Sequence, residues 1–285
     1  MSDQRPESHN NDRRVPPGNR GTLSLIVVAM NEAHDIRDCL ESVRGLATEM
    51  IVFDSGSTDG TQDVCRQLGA RVFETDWPGD GPQKNRALDQ ATGDWVLCLD
   101  ADERVSDELR HEIERLLDQG SPHAAFSTPR RSSFCGRFMK HSGWWPDRIQ
   151  RLFRRGSARF TDVRTHTRLE IEGTVGRFNE PIIHISIRDL HEALDKANSY
   201  STSGALTMAE NGKRSSLGKA LGKGLWAFLR TYVVRLGFLD GAEGLMLAIN
   251  NAESTYYRYV KLALLTRAMR ASDTTHAARQ PEQTR

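Results

Sequence analysis

The feature that most constrains this fold is the alternation of short apolar runs with helix-patterned segments through the first half of the chain. Apolar runs predict strands at Leu23–Met30, Met50–Phe53, Arg71–Glu74, Trp95–Leu99 and Ala124–Ser127. Between them apolar residues recur at helical spacing, as at Ile36, Leu40 and Val43. A near-continuous apolar run is typical of a strand buried on both faces. The pattern predicts an α/β fold with a mostly parallel sheet flanked by helices.

Acidic residues stand where two of these strands end. Asp54 follows the second predicted strand and Asp100 follows the fourth. Ligands of open parallel sheets bind beyond the carboxyl ends of the strands. Asp100 and Asp102 can direct two carboxylates at one point, and such oxygens hold Mg²⁺ or Mn²⁺ that also binds substrate phosphates. The alternative is an acidic cluster at the start of a helix.

The segment Asp-Ser-Gly-Ser-Thr-Asp-Gly-Thr, residues 54–61, also has two interpretations. It is rich in turn and capping residues, and Ser57 or Thr58 could cap the next helix. Capping alone does not require Asp54 at the end of the strand, where a carboxylate can accept hydrogen bonds from a base or a ribose. The first strand is not followed by GxGxxG, which excludes a dehydrogenase-like dinucleotide site.

Together these motifs resemble the family 2 glycosyltransferases, which have the GT-A fold. The matching segments are VVAMNEA (27–33), DSGSTDGT (54–61) and QKNRALDQATGDWVLCLDADE (83–103). Three more are similar to the branch containing lipopolysaccharide inner-core β-1,4-glucosyltransferases: GWWPDRIQRLFRRGSARF (143–160), IIHISIRDLHEALDKANSYST (182–202) and GFLDGAEGL (237–245). The resemblance covers roughly residues 23–265. Its motifs are specific for the family and less specific for donor and acceptor.

The resemblance implies a set of residues that bind a nucleotide sugar. They are Asn31, Glu32, Asp54, Lys84 and Asp100. Asp54 would contact the base, and Asp100 the ribose or the metal. Lys84, where many relatives have Arg, would lie by the base and phosphates. Asn31 and Glu32 would line the nucleotide end of the first loop.

The resemblance also implies Mg²⁺ or Mn²⁺ held by Asp102. His184 and His166 are candidates for a further ligand, because a neutral imidazole suits Mn²⁺, and a structural role is the alternative for both. The metal would neutralise the charge that develops on the diphosphate leaving group.

The resemblance does not assign the general base to one residue of this chain. Relatives often carry Val-His-Glu where this chain has Thr165-His166-Thr167, and a threonine is no general base of ordinary strength. Asp147, in Trp-Trp-Pro-Asp, matches the relatives and is the first candidate. Glu170 is the second, because a local shift could bring it to the position of Thr167. Single displacement would invert the anomeric carbon.

Residues 130–168 are basic with interleaved aromatic side chains. The stretch has three interpretations: a solvated surface, a nucleic-acid site, or a site for an anionic lipid-linked sugar. The upstream motifs favour the third, because Arg binds phosphate through paired contacts and Trp can stack on a sugar. The predicted acceptor-binding residues are Trp144, Trp145 and Arg151, and a core position is the alternative for either tryptophan.

Domain boundaries are predicted from shifts in composition. Residues 1–20 and 271–285 are polar and predicted to be disordered. The glycosyltransferase domain is predicted at 21–190, with a nucleotide-sugar half (21–128) and an acceptor half (129–190), followed by a helical region at 191–270. The basic amphipathic segment Lys213–Arg235 is typical of a helix on an anionic membrane, of one packed on the sheet domain, or of one in an oligomer.

The composition also indicates the cellular location that is expected for the protein. The net charge is +1, which offers no global attraction for nucleic acid or membrane. Residues 1–20 have no apolar core and are therefore not expected to be a secretory signal, and no run reaches the roughly 18–20 apolar residues that a membrane span needs. Four scattered cysteines favour a reducing compartment. A cytoplasmic location is expected, with peripheral contact at the inner membrane.

These features together predict an inverting transferase that moves a hexose, first choice glucose from UDP-glucose, to a lipopolysaccharide core or another cell-surface glycan. The alternative is a non-catalytic relative that binds a membrane or a glycolipid. Thr167 is the residue that motivates this alternative.

Overall fold

The computed structural model of the protein describes residues 20–162 and 167–277. Its strands are β1 (Leu23–Ala29), β2 (Glu49–Asp54), β3 (Arg71–Glu74), β4 (Trp95–Asp100), β5 (Glu103–Val105), β6 (Ala125–Phe134), β7 (Arg137–Phe138), β8 (Asp147–Arg154), β9 (Ala158–Phe160), β10 (Leu169–Ile171), β11 (Val175–Arg177) and β12 (Ile182–Ile187). Its α-helices are α1 (Ile36–Ser42), α2 (Thr61–Gln67), α3 (Asp80–Asp89), α4 (Asp107–Gln119), α5 (Leu190–Glu210), α6 (Leu217–Leu229) and α7 (Gly241–Ala277). A π-helical turn (Arg230–Val234) and a 3₁₀ turn (Gly237–Asp240) connect α6 to α7.

The parallel part of the sheet has the order β3-β2-β1-β4. The central strand β1 pairs in parallel with β2 on one side and with β4 on the other. Ala29 is registered with Asp54, and Val28 with Asp100. The aspartates that end β2 and β4 therefore reach the same edge of the sheet, as the alternating pattern predicts.

Strand β1 is buried on both faces, which explains its continuous apolar sequence. Leu25 belongs to a core cluster with Leu40 of α1 and Ile113 of α4. Ile26 belongs to a second cluster with Ala87 of α3. Successive side chains of a strand point to opposite faces, so these clusters show that helices cover both sides of the parallel strands.

Beyond β4 most of the described strand pairs are antiparallel, while β11 is parallel to β6, so the sheet as a whole is mixed. The order continues β8-β6-β12-β5, with β8 antiparallel to both β4 and β6. No helix lies between α4 and α5 in the described chain, and a short turn joins β6 directly to its antiparallel partner β7. The predicted fold class, a GT-A-like sheet flanked by helices with a C-terminal helical extension, is confirmed.

A short strand that the sequence pattern did not predict follows Asp102 directly. This strand, β5, pairs antiparallel with β12, and His184 is registered opposite Glu103. The pairing brings a histidine from a distant part of the chain beside the acidic motif. It is the feature of the fold that contributes most to the site.

The described chain divides into two compact units. The first comprises residues 20–130 and 147–184, and the second comprises 131–146 and 185–277. The sequence predicted one domain over 21–190. In the structure, the segment 131–146 instead groups with the C-terminal helices.

In the second unit, α5 and α6 both pack against α7. Gly224 of α6 lies so close to α7 that an added Cβ would be 3.1 Å from Cβ of Tyr256. Lys261 of α7 donates from Nζ to the backbone oxygen of Asn198 in α5 at 3.0 Å and to Ser201 Oγ at 2.8 Å. Close approach and side-chain hydrogen bonds thus hold the helices together.

Asp240 ties the segment 131–146 into this unit. It is buried, and its carboxylate accepts hydrogen bonds from the backbone N–H groups of Lys140 and His141, each at 3.0 Å. The hydroxyl of Ser142 donates to it at 3.0 Å. One buried carboxylate therefore fixes three consecutive residues of the segment.

The last helix, α7, extends to Ala277 and so includes the first residues of the predicted tail 271–285. Residues 1–19 and 278–285, which hold the rest of the two predicted tails, lie outside the described residues. No helix in the described ranges combines the length and apolar character needed to cross a bilayer.

Candidate active site

Hydrogen bonds join the loops that follow β1 and β2. Asn31 has a φ of 58°, in the left-handed region that asparagine tolerates. Its N–H donates to Ser57 Oγ at 2.8 Å, and its Oδ1 accepts from the N–H of Thr58 at 2.9 Å. The N–H of Glu32 donates to Thr61 Oγ1 at 2.8 Å. The segment 54–61 therefore determines the shape of the loop that carries Asn31 and Glu32.

Asp54 uses its carboxylate within its own loop. It is buried, and Oδ1 accepts the N–H groups of Gly56 and Ser57 at 3.1 and 2.9 Å and the amide of Gln62 at 2.7 Å. Oδ2 accepts the hydroxyl of Ser57. These bonds build the turn that leads into α2. The structure shows this organising role, and the base contact implied by the resemblance stays a prediction.

Asp100, at the end of β4, lies between two cations. Nζ of Lys84 is 3.0 Å from its Oδ1, and Nη2 of Arg151 contacts its Oδ2. Loss of water raises the pKa of Asp100, but attraction to Arg151 and Lys84 outweighs this and holds the pKa well below its usual range. Burial lowers the pKa of Lys84, and the nearby Asp100 more than reverses that shift. Both groups are therefore charged at neutral pH.

A row of alternating charges continues from Arg151 to Asp147. Arg151 Nη2 donates to Oε1 of the fully buried Glu103 at 2.7 Å. Arg130 reaches the same oxygen at 3.4 Å, and its Nη2 donates to Asp147 Oδ2 at 2.6 Å. Buried charges persist when each has an opposite partner. We call Asp100, Arg151, Glu103, Arg130 and Asp147 the charged row.

Asp102 and His184 face each other beside this row. Asp102 Oδ2 is 3.2 Å from His184 Nε2, and the two side chains are 25% and 14% exposed. A carboxylate and a neutral imidazole suit Mn²⁺, and Mg²⁺ often takes few protein ligands. No group of three or more His, Cys, Asp or Glu residues surrounds one point in the described chain. Asp102 and His184 are the residues of the described chain that would hold such a metal. His166 lies outside the described residues.

Comparison of the sequence with family models decides the family. The model described as "Glycosyl transferase family 2" matches residues 24–172, more than half of the chain and nearly all of the first unit. The chain belongs to glycosyl transferase family 2.

Relatives of this glycosyltransferase match most of its length. An uncharacterized glycosyltransferase of Rickettsia prowazekii is 28% identical over 251 residues, which cover 84% of this chain and 86% of the relative. The lipopolysaccharide core biosynthesis glycosyltransferase LpsC of Rhizobium meliloti is 29% identical over 256 residues, 83% of this chain and 93% of the relative. A solved structure of glucosyl-3-phosphoglycerate synthase from Mycobacterium tuberculosis, with Mn²⁺, UDP and glucosyl-3-phosphoglycerate, overlaps 41% of this chain and 45% of its own, with 28% identity and a TM-score of 0.33.

The second candidate base of the glycosyltransferase, Glu170, has different surroundings from the first. It is exposed on β10 and lines a cavity of about 520 Å³ together with Asn85, Arg86 and Arg159. None of the residues of the charged row lines this cavity. Hydrogen bonds through Arg130 connect Asp147 to Glu103 of the acidic motif, and no described hydrogen bond or ion pair connects Glu170 to it.

The predicted acceptor-binding tryptophans belong to the second unit. Trp144 meets the ring of Phe134 edge-on at 6.0 Å between centroids and packs on the core of that unit. Trp145 is 38% exposed and precedes Pro146 through a cis peptide bond. The packing of Trp144 agrees with the alternative that this residue belongs to the core. The ring of Trp145 is accessible.

Arg151, the third predicted acceptor residue, is buried between Asp100 and Glu103. Its described contacts hold the acidic motif in place. Acceptor binding by this side chain stays a prediction that the described geometry does not support.

Two residues of the charged row were not predicted, Glu103 and Arg130. Glu103 is part of the Asp-Ala-Asp-Glu motif, and the available signal was an acid directly after Asp102, the predicted metal ligand. Arg130 is registered opposite Asp147 across β6 and β8. That pairing has no signal in the sequence.

Proposed function

We propose that this family 2 glycosyltransferase is an inverting hexosyltransferase. Its donor is a nucleotide diphosphate sugar, with UDP-glucose as first choice, and its acceptor is a hydroxyl of a lipopolysaccharide core or another cell-surface glycan. The observation that carries the proposal is the Asp102–His184 pair just beyond the carboxyl end of β4, with Asp147 joined to the same motif through Arg130 and Glu103.

The nucleotide end of the donor is assigned to the loops after β1 and β2. Asn31 and Glu32 lie there on a backbone held by the segment 54–61. Asp100 stays ionised between Lys84 and Arg151, which gives a ribose hydroxyl a fixed, charged acceptor. Asp54 supports this arrangement by shaping its loop.

A divalent cation, Mg²⁺ or Mn²⁺, would be held by Asp102 and His184 together with donor phosphates. When bound, such an ion stabilises the negative charge that develops on the leaving diphosphate. His184 must be neutral to serve as a ligand, because only an unprotonated ring nitrogen can donate an electron pair. The protein's contribution is a fixed carboxylate and imidazole at one point.

Asp147 is the proposed general base for the acceptor hydroxyl. Arg130 donates to its Oδ2 from Nη2 at 2.6 Å and from Nε at 3.0 Å, which fixes the orientation of the carboxylate. The Asp147 side chain is 40% exposed, so an acceptor can reach it. A base that removes the proton as the hydroxyl attacks supports single displacement with inversion, and an α-linked donor then gives a β product.

The acceptor class is proposed from the relative LpsC, whose name places it in lipopolysaccharide core biosynthesis. A lipopolysaccharide core is attached to lipid, so its glycosylation takes place at a membrane. We therefore place the enzyme at the cytoplasmic face of the inner membrane. The exposed ring of Trp145 is the proposed contact with the acceptor sugar.

The test is product formation and donor hydrolysis with a panel of nucleotide sugars, each with Mn²⁺ or Mg²⁺, and with core lipopolysaccharide as acceptor. We expect metal-dependent use of one donor. Asp147→Asn should lower the transfer rate by roughly 10²–10⁴-fold, because general-base catalysis contributes that much. Glu170→Gln is the matched control and should keep the wild-type rate.

The outcomes separate the alternatives. If Asp147→Asn keeps the rate and Glu170→Gln loses it, the base is Glu170. If the wild type uses no donor even with the acceptor present, the catalytic proposal is wrong, and the chain is a non-catalytic relative, which Thr167 first suggested.

A further inference from the structure

One stretch of the second unit exposes large apolar side chains over three consecutive elements. It runs through α6 and the two turns that follow. Its exposed apolar residues are Leu217, Leu221, Leu225, Trp226, Leu229, Val233, Val234, Leu236, Phe238 and Leu239, each 40–64% exposed. We call residues 213–239 the apolar–basic surface. Contiguous exposure on this scale marks an interaction site more often than chance.

The packing of α6 explains why these side chains face outward. The buried residues of α6 are Ala220 and Gly224, at helical spacing. A Cβ on Gly224 would lie 3.2 Å from the backbone oxygen of Ala252 in α7. The small residues thus form the inner face, and Leu221 and Leu225 are directed away from it. The apolar face is not the one that this unit uses for its own core.

The apolar–basic surface carries basic side chains beside the apolar ones, and it has no acidic side chains. The surface carries Lys213, Arg214, Lys219, Lys223, Arg230 and Arg235, and its sequence holds no Asp or Glu between Glu210 and Asp240. None of these cations forms an ion pair with a residue in the described part of the chain. On α6, Lys219 and Lys223 are one turn apart and lie on the side of the helix that carries Trp226, since residues three and four apart are neighbours on a helix. Nζ of Lys219 also lies 5.8 Å from the ring centroid of Tyr259 in α7.

The positive charge of this surface indicates what kind of partner it binds. A symmetric contact with a second copy of the chain would place the same cations against one another, and like charges across an interface repel. An anionic bilayer offers both an apolar interior for the leucines and negative headgroups for the flanking cations. Trp226 suits the boundary between the two, since indole rings concentrate there.

We propose that the apolar–basic surface inserts into the headgroup region of a bilayer that contains anionic lipid. This inference deepens the proposed function, because it names the surface by which the enzyme reaches a lipid-linked acceptor. Leu221, Leu225 and Trp226 would enter the acyl boundary. Lys219 and Lys223 would contact lipid phosphates.

The test uses the full-length protein and extruded vesicles, either of phosphatidylcholine alone or of phosphatidylcholine with phosphatidylglycerol. The bound fraction is measured by flotation at low and at high salt. We expect binding to the anionic vesicles that weakens with salt, and little binding to phosphatidylcholine alone. A blue shift and quenching of tryptophan fluorescence by brominated lipid should accompany binding.

Two double variants measure separately how the apolar and the charged side chains contribute to vesicle binding. Leu221→Gln with Leu225→Gln should reduce partitioning at least about tenfold, since each buried leucine contributes strongly to transfer from water. Lys219→Gln with Lys223→Gln should reduce it roughly fivefold for each charge removed. The matched control replaces Leu194 and Leu206 of α5, each 47% exposed, by Gln and should bind as the wild type does.

The proposal is overturned if the wild type does not bind anionic vesicles at low salt, or if the leucine variant binds as well as the control. It is also overturned if the wild type is a dimer in solution that the leucine variant dissociates, because the occupant is then a second copy. Donor hydrolysis without lipid is measured in parallel. If the wild type binds vesicles but does not hydrolyse any donor, the enzyme proposal is wrong and the proposal of a membrane-binding surface is unaffected.

Discussion

The charged row of the first unit and the apolar–basic surface of the second use charge in opposite ways. In the row each cation has an acid within the fold, as Arg151 has Asp100 and Glu103. On the surface the cations have no acidic neighbour in sequence. The charges of the row are neutralised within the chain. The apolar–basic surface instead carries cations that no acid among the described residues neutralises, together with exposed leucines.

This difference separates two kinds of functional region. Paired charges hold side chains in one geometry, which a catalytic site needs before its substrate arrives. The cations of the apolar–basic surface have no acidic partner in the described chain, so their charge is available to a binding partner. The comparison can be tested by removing a charge or a close contact from each region and measuring stability.

The largest effect is expected in the row. In Glu103→Gln the neutral amide would leave Arg151 and Arg130 without their shared buried carboxylate. Breaking a buried pair from one side costs about 3–5 kcal/mol, so the free energy of unfolding should fall by that amount in urea denaturation. Exposed Glu170→Gln is the control and should change it by less than about 0.5 kcal/mol. A loss below about 1 kcal/mol for Glu103→Gln would show that the row is not a coupled network.

An intermediate effect is expected on the inner face of α6. Gly224→Leu would force a side chain against Tyr256 and Ala252 of α7, and overpacking of this kind costs about 1–3 kcal/mol. Gly222, on the same helix, has no atom within 4 Å of an added Cβ. Gly222→Leu should therefore keep or slightly raise stability through helix propensity. Equal losses in the two variants would mean that the outer face of α6 is packed as well.

The smallest effect is expected for the cations of the surface. Lys219→Gln with Lys223→Gln removes charges that have no ion-pair partner in the described chain, so the free energy of unfolding should change by less than about 1 kcal/mol. The same variant loses vesicle binding if the surface inference is correct. A loss of stability above about 2 kcal/mol would instead assign these cations a structural role.

The parallel part of the fold could be predicted because its signals are local. Each strand from β1 to β4 is a short run bounded by turn residues, and Asp54 and Asp100 end their strands in the sequence itself. Parallel pairing then places both at one edge. The turn role of Asp54 was not predicted. Ser57 or Thr58 was expected to cap α2, but the helix follows Gly60 without a side-chain cap, and Asp54 accepts the N–H groups of Gly56 and Ser57.

The antiparallel part could not be predicted in the same way. Strand β5 has only three residues, and it exists because β12 supplies a partner from a distant part of the chain. The pairing of Arg130 with Asp147 depends on a register that shifts between Phe126 and Ser127, so counting along the sequence does not reveal it. Nor does any change in composition mark the segment 131–146 as part of the second unit.

The central claim is that Asp102, with His184, forms a divalent-metal site that also binds the donor diphosphate. The most direct measurement is thermal unfolding of the wild type and Asp102→Asn, each with Mn²⁺ alone, UDP alone and both together. A ligand that binds only the folded state stabilises it, so the wild type should unfold at a higher temperature with Mn²⁺ and UDP together than with either alone. Asp102→Asn should lose that joint shift. An equal joint shift in the variant would contradict the assignment.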